Sequence, residues 1–189
     1  MQHLPTLIAA ATATLLLGAC GSMKPMASPM AMKPYDQTAL PAAVQVPAGH
    51  QVVLETVGAG DITYECKAKA DMSGHEWVFV GPMATLKDRS GKAVGSYFGP
   101  PATWKANDGS AVTGKQLAVA PAGTGNIPLQ LVQANPATGM GAMTGISHIQ
   151  RVATMGGVAP ASTCDAGSVG KKEVVKYQAD YIFWAAKKM

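Results

Sequence analysis

Along residues 61–68 apolar and polar side chains alternate one for one, placing Ile62, Tyr64, Cys66 and Ala68 on one face and Asp61, Thr63, Glu65 and Lys67 on the other. A period of two is the signature of a strand with one face in a core and the other in water. Similar short runs recur at 51–57, 76–80, 93–98, 111–118, 127–133, 145–154 and 174–184. Turn-forming clusters separate them: Gly58-Ala59-Gly60, residues 87–91, Asn107-Asp108-Gly109-Ser110, Asn135-Pro136 and Gly156-Gly157. Short strands at this spacing predict an all-β domain over residues 38–189, an antiparallel β-sandwich or barrel. Only residues 68–73 and 84–88 tempt a helical reading, and both are too short to hold one.

The first 37 residues follow a different pattern. Residues 4–17 form an apolar run of the length of a signal-peptide core, short of the roughly 20 residues a membrane span needs. It ends in Leu17-Gly18-Ala19-Cys20, which resembles a bacterial lipobox, although no Lys or Arg precedes the run. The expectation is a lipoprotein signal over 1–19, cleaved before Cys20, with Cys20 acylated. Gly21 rather than an aspartate follows the cysteine, so the expected destination is the outer membrane, facing the periplasm. Each buried methylene contributes about 0.8 kcal/mol, and stable anchoring takes two or more chains, a condition a triacylated Cys20 meets. Residues 20–37, rich in Pro, Ala, Met and Ser, then read as a flexible tether with too little apolar surface to offset its ordering entropy.

Lipidation of Cys20 leaves Cys66 and Cys164 of the chain's 3 cysteines, and an exported pair meets an oxidising compartment. A Cys66–Cys164 disulfide is therefore expected, stapling a Pro/Ser/Thr-rich loop to a strand.

Catalytic signatures are sparse. Gly145-Ile146-Ser147-His148-Ile149 lacks the second glycine of a nucleophile elbow and lies within an expected strand, and Gly58-Ala59-Gly60 lacks the third glycine and the helix of a dinucleotide loop. His50, His75 and His148 fall on different elements without metal-ligand spacing. Glu55, Asp61, Glu65, Glu76, Asp108 and Asp165 could supply the carboxylate pair of a glycan hydrolase. The methionines Met23, Met26, Met30 and Met32 of the tether offer soft thioethers for Cu(I). Net charge is +4, but the basic residues are scattered without interleaved aromatics, so no nucleic-acid partner is expected. Arg151 reads as an ion-pair partner for Asp165 or Glu65.

Among the aromatics, Tyr64, Trp77, Phe79, Tyr177, Tyr181 and Phe183 alternate as core residues do. Trp104, between Gly99-Pro100-Pro101 and the Asn107–Ser110 turn, reads as a loop residue. With Tyr97, Phe98 and Asp108 it forms the patch nominated for ligand contact, stacking on a sugar or a small apolar group. The competing reading has Trp104 plugging one end of a barrel.

Several motifs occur together in order: Tyr64-Glu65-Cys66, Trp77-Val78-Phe79, Gly99-Pro100 with Trp104, Asp108-Gly109-Ser110, Ile149-Gln150-Arg151-Val152, Gly156-Gly157, Cys164-Asp165 and residues 177–183. In this respect the chain resembles the family called domain of unknown function 3455, over about 40–184. The resemblance implies an exported, mostly β protein with no established activity. It also marks departures: Tyr97 stands where members carry a histidine, Pro101-Ala102 read as an insertion, and Leu129 replaces a tryptophan. Any chemistry resting on that histidine is then lost here. The expectation is a lipid-anchored envelope module that binds without catalysing and needs no cofactor.

Overall fold

A computed structural model describes residues 35–188. Within them, strands β1 (His50–Ala68), β2 (His75–Lys87), β3 (Ala93–Phe98), β4 (Thr103–Ala106), β5 (Ala111–Ala120), β6 (Leu129–Ala134), β7 (Ile146–Gly156) and β8 (Lys172–Ala186) form one antiparallel sheet. Each strand pairs with the next in sequence, and β8 returns to pair with β1 from His50↔Ala186 to Glu65↔Lys172. The sheet closes into an up-and-down barrel, which leaves no free strand edge. Of the two expected all-β architectures, the barrel is the one formed. The connections 69–74, 99–102, 121–128 and 157–171 lie at one end, called here the upper end; those at 88–92, 107–110 and 135–145 lie at the lower end.

Eight strands encircle a lumen just wide enough for side chains to fill it. Ile62, Tyr64, Leu86, Tyr97, Trp104, Val112, Ile149, Tyr181 and Phe183 pack there as one buried cluster. The outward positions of β1 include Asp61, Thr63, Glu65 and Lys67, so the alternation in the sequence maps onto lumen and exterior. That arrangement is the inverse of a barrel whose apolar band faces lipid.

A second core lies outside the barrel wall. Residues 35–46, with a 3-10 turn at Ala42–Val44, cross β5 to β8 and bury Val44 and Val46 against Leu131, Val152, Ile182 and Trp184. Tyr35 meets the Trp184 ring edge-on at 6.0 Å. The compact unit thus begins at Tyr35, inside the stretch expected to be tether.

The expected elements differ from the observed ones at two places, Gly58–Gly60 and Trp104. Gly58-Ala59-Gly60 is no turn: β1 runs unbroken through it for 19 residues. A Cβ on Gly60 would overlap the Met83 carbonyl and Ala84 of β2, and one on Gly58 the Tyr181 ring. These glycines mark close approach, the other reason for glycine within a strand. As expected, neither stretch that tempts a helical reading holds a helix: 84–87 continue β2, and 69–73 form a turn. Trp104 lies on β4, not in a loop.

The expected disulfide is present, Cys66 to Cys164, with Cα atoms 5.5 Å apart. It pins the 157–171 connection to the upper end of β1. Around it the Trp77 Nε1–H donates to the Ser162 carbonyl (2.8 Å) and the Tyr64 hydroxyl to that of Gly157 (2.8 Å). The bridge fits export to an oxidising compartment. Among the described residues no helix is long and apolar enough to cross a membrane. Cys20 and the tether methionines Met23, Met26, Met30 and Met32 lie outside the described residues.

Candidate ligand site in the barrel lumen

Tyr97 on β3 and Trp104 on β4 are directly opposite in the ladder. Facing the lumen, their rings stack at 4.7 Å with planes 24° apart. Tyr181 of β8 closes on them from across the barrel, 5.0 Å from Tyr97 and 5.8 Å from Trp104. Its hydroxyl lies 3.2 Å from that of Tyr177. The result is an aromatic layer across the lumen, with Trp104 only 1% exposed. Burial raises the pKa of the Tyr97, Tyr177 and Tyr181 hydroxyls, while the positive charge of Arg151 pulls the other way. All three phenols are therefore neutral at physiological pH.

Beside this layer the lumen opens into a cavity of about 330 Å³, at the small end of ordinary ligand pockets. Phe79, Tyr97 and Trp104 supply aromatic walls, and Gln116, Gln130 and Arg151 the polar groups. Phe79 is 52% exposed, so the site is reached from solvent. Gly114 keeps one wall thin, since a Cβ there would overlap Val132.

Arg151 is held in place before any ligand arrives. Its Nε–H and Nη2–H both donate to the Pro128 carbonyl, at 3.1 and 2.9 Å, from the connection that leads into β6. No carboxylate pairs with it among the described residues. The expected partners are engaged elsewhere: Glu65 with Lys67, and the Asp165 side chain with Ser168. The expectation that Arg151 is an ion-pair partner is thus corrected. β7 turns Ile149 and Arg151 inward together, whereas Glu65 points outward from β1. The usable signal was parity, because Arg151 shares the phase of a core isoleucine two positions away.

The nominated residues Tyr97, Phe98, Trp104 and Asp108 do not come together as one patch. Tyr97 and Trp104 do. Phe98 follows Tyr97 in the strand and points outward, 39% exposed. Asp108 sits at the lower end, where Oδ1 accepts from the Ser110 hydroxyl (2.6 Å) and amide (2.9 Å) and Oδ2 from the Ala142 amide (2.7 Å). Those bonds, the Ser110 hydroxyl foremost, hold its carboxyl below the usual carboxylate range and clasp two lower connections.

The chain matches the family model described as protein of unknown function (DUF3455) over residues 47–185. It belongs to the DUF3455 family. The match spans the whole barrel wall from just before β1 nearly to the end of β8, and includes every residue lining the lumen cavity. No curated protein and no solved structure matches the chain significantly.

In this DUF3455 domain the carboxylates weighed for glycan hydrolysis lie off the cavity. Glu55 is joined to Arg89 at 2.8 Å, and Arg89 also holds Asp180 at 2.6 Å; Asp61 pairs with Lys176 at 2.6 Å. His50 and His148, expected to be separate, meet edge-to-face at 4.7 Å across the register of β1, β8 and β7. Among the described residues no group of three or more His, Cys, Asp or Glu side chains could hold a metal ion.

Proposed function

We propose that this DUF3455 domain is a binding module of the cell envelope that takes a small amphipathic molecule into the lumen cavity without transforming it, on a chain anchored to the outer membrane through acylated Cys20. The observation that carries the reading is the cavity itself: about 330 Å³, walled by Phe79, Tyr97 and Trp104, with a prepositioned Arg151 that no carboxylate of the described chain neutralises. Apolar walls with a few convergent polar groups are the ordinary make-up of a ligand site. Among the described residues, those lining the cavity include no carboxylate, histidine, cysteine or serine to act as base or nucleophile. The lipobox-like Leu17-Gly18-Ala19-Cys20 supports the anchor, and the disulfide fits the compartment.

The chain has 3 tryptophans, so their indole N–H signals in a ¹⁵N spectrum form a small set of reporters. Trp77 and Trp184 already donate to Ser162 and Gln150, whereas the Trp104 Nε1–H, though buried, has no acceptor. A screen of small fragments is expected to yield binders that move the Trp104 signal and leave the other two in place. A screen whose binders all leave Trp104 unmoved overturns the reading. Intact mass of the chain from its native host tests the anchor, with a mature protein beginning at an acylated Cys20 as the expected result.

A further inference from the structure

Resting on the binding reading, we propose that the ligand is an aromatic monocarboxylate, its carboxylate held by Arg151 and its ring lodged against Tyr97 and Trp104.

A guanidinium carries five N–H donors. Two of those on Arg151 go to the Pro128 carbonyl, leaving the two on Nη1 and the second on Nη2 for another acceptor. An arginine half-withdrawn from water, with no acid beside it, bears a desolvation cost that a bound anion offsets. The fork of the guanidinium matches a carboxylate in its plane, and anchoring by a backbone carbonyl removes most of the rotamer freedom such a contact would otherwise cost.

The remaining walls narrow the anion further. Among the described residues Arg151 is the only charged one lining the cavity, so a single negative charge is matched, and a dianion would leave one charge without a counterion. Gln116 and Gln130 are neutral and already bonded to each other, Gln130 Nε2–H to Gln116 Oε1 at 2.6 Å. The cavity volume admits a ring with short substituents rather than a long chain, and stacked indole and phenol rings favour a flat partner. The Trp104 Nε1–H, buried without an acceptor among the described residues, belongs to a ring that lines the cavity, so its signal reports on what fills that space.

The test uses the full chain, benzoate as the probe and benzamide as its neutral isostere, read through the indole signals and repeated on Arg151→Gln and Arg151→Lys. Benzoate is expected to move the Trp104 signal in saturable fashion, with benzamide at least tenfold weaker. Arg151→Gln should weaken benzoate at least tenfold, and Arg151→Lys, which keeps the charge but loses the fork, by less. Signals of Trp77 and Trp184 at their original positions certify the fold of each variant. Should Arg151→Gln displace them, the comparison of benzoate with benzamide and the Lys variant decide the matter. Equal binding of benzoate and benzamide, or undiminished binding of benzoate by a folded Arg151→Gln, overturns the proposal and leaves the cavity as a neutral-ligand site. No response to benzoate while neutral fragments still move Trp104 does the same; only silence of Trp104 toward every fragment removes the binding reading as well.

Discussion

Gln150 projects from the outer face of β7 with no exposed surface, and its amide is the polar centre of the second core. Its Nε2 donates to the Val44 carbonyl (2.7 Å) and to Gln37 Oε1 (3.0 Å), while its Oε1 accepts the Trp184 indole N–H (2.9 Å). Replacing Gln150 with alanine strands a buried donor and a buried acceptor, each costing about 1–3 kcal/mol. Gln150→Ala is expected to lower the unfolding free energy by about 2–6 kcal/mol in urea titration; a change under about half a kilocalorie per mole would mean that the strap over β5 to β8 adds nothing. His148 supplies a pH dependence. Burial first, and the neighbouring His50 second, lower its pKa below the ordinary value of 6.5. The unfolded chain therefore binds the proton more readily than the folded one, so this stability is complete above pH 6.5 and is lost as pH falls from there toward the lowered value. Wild type should lose melting temperature between pH 7.5 and 5.5 more steeply than His148→Gln. Parallel curves would contradict the assignment. The carboxylates held down by hydrogen bonds, such as Asp88 and Asp108, act in a more acidic window.

Among elements, the longest strand and the shortest were the two hardest to read. Alternation at 51–57 and 61–68 is plain, but the glycines between them carry no side chain to show which face they belong to. What makes them strand is non-local: β8 pairs continuously from Leu54↔Phe183 to Glu65↔Lys172, and β2 and Tyr181 press where a Cβ would stand. β4 spans Thr103–Ala106, four residues between a proline run and the turn at Asn107–Ser110, too few for a period of two to emerge. Splitting β1 adds one strand and missing β4 removes one, so the expected number of runs equals the observed eight only because the two misreadings cancel. The disulfide was legible because it follows from counting thiols and from compartment, neither of which depends on register. Closure was not, since a sandwich and a barrel ask for the same alternation; it is decided by the pairing of the first strand with the last. The cavity was legible in part. Tyr97 and Trp104 stood out as aromatics near a turn, but Arg151 was hidden by the assumption that a charge on a strand must find an acid.

At the scale of the whole molecule, the Cys66–Cys164 bridge spans a sequence separation of 98 and so closes over most of the barrel. Cross-linking residues this far apart removes about 4–5 kcal/mol of loop-closure entropy from the unfolded chain. Each kcal/mol shifts the melting point of a domain this size by roughly 2–4 °C, so reduction is expected to lower it by roughly 8–20 °C. The native contacts around the bridge should survive in part, because the 157–171 connection is also held by Trp77 to Ser162, Tyr64 to Gly157, and the Cys66 backbone to Lys171 and Gly170. Scanning calorimetry with and without reductant, beside a Cys66→Ser, Cys164→Ser double variant, reads the effect. The two should agree, because both act on the unfolded ensemble rather than on the lumen. Agreement on a large fall identifies a domain that needs an oxidising compartment to reach full stability, as export requires. A shift of less than about 3 °C in both would mean that the closed ring of strands already constrains the chain and that the bridge is incidental to stability. A fall confined to the double variant would instead point to a bridge that the reductant cannot reach behind the 157–171 connection, and repeating the reduction in mild denaturant, where that connection opens first, would separate access from energetics.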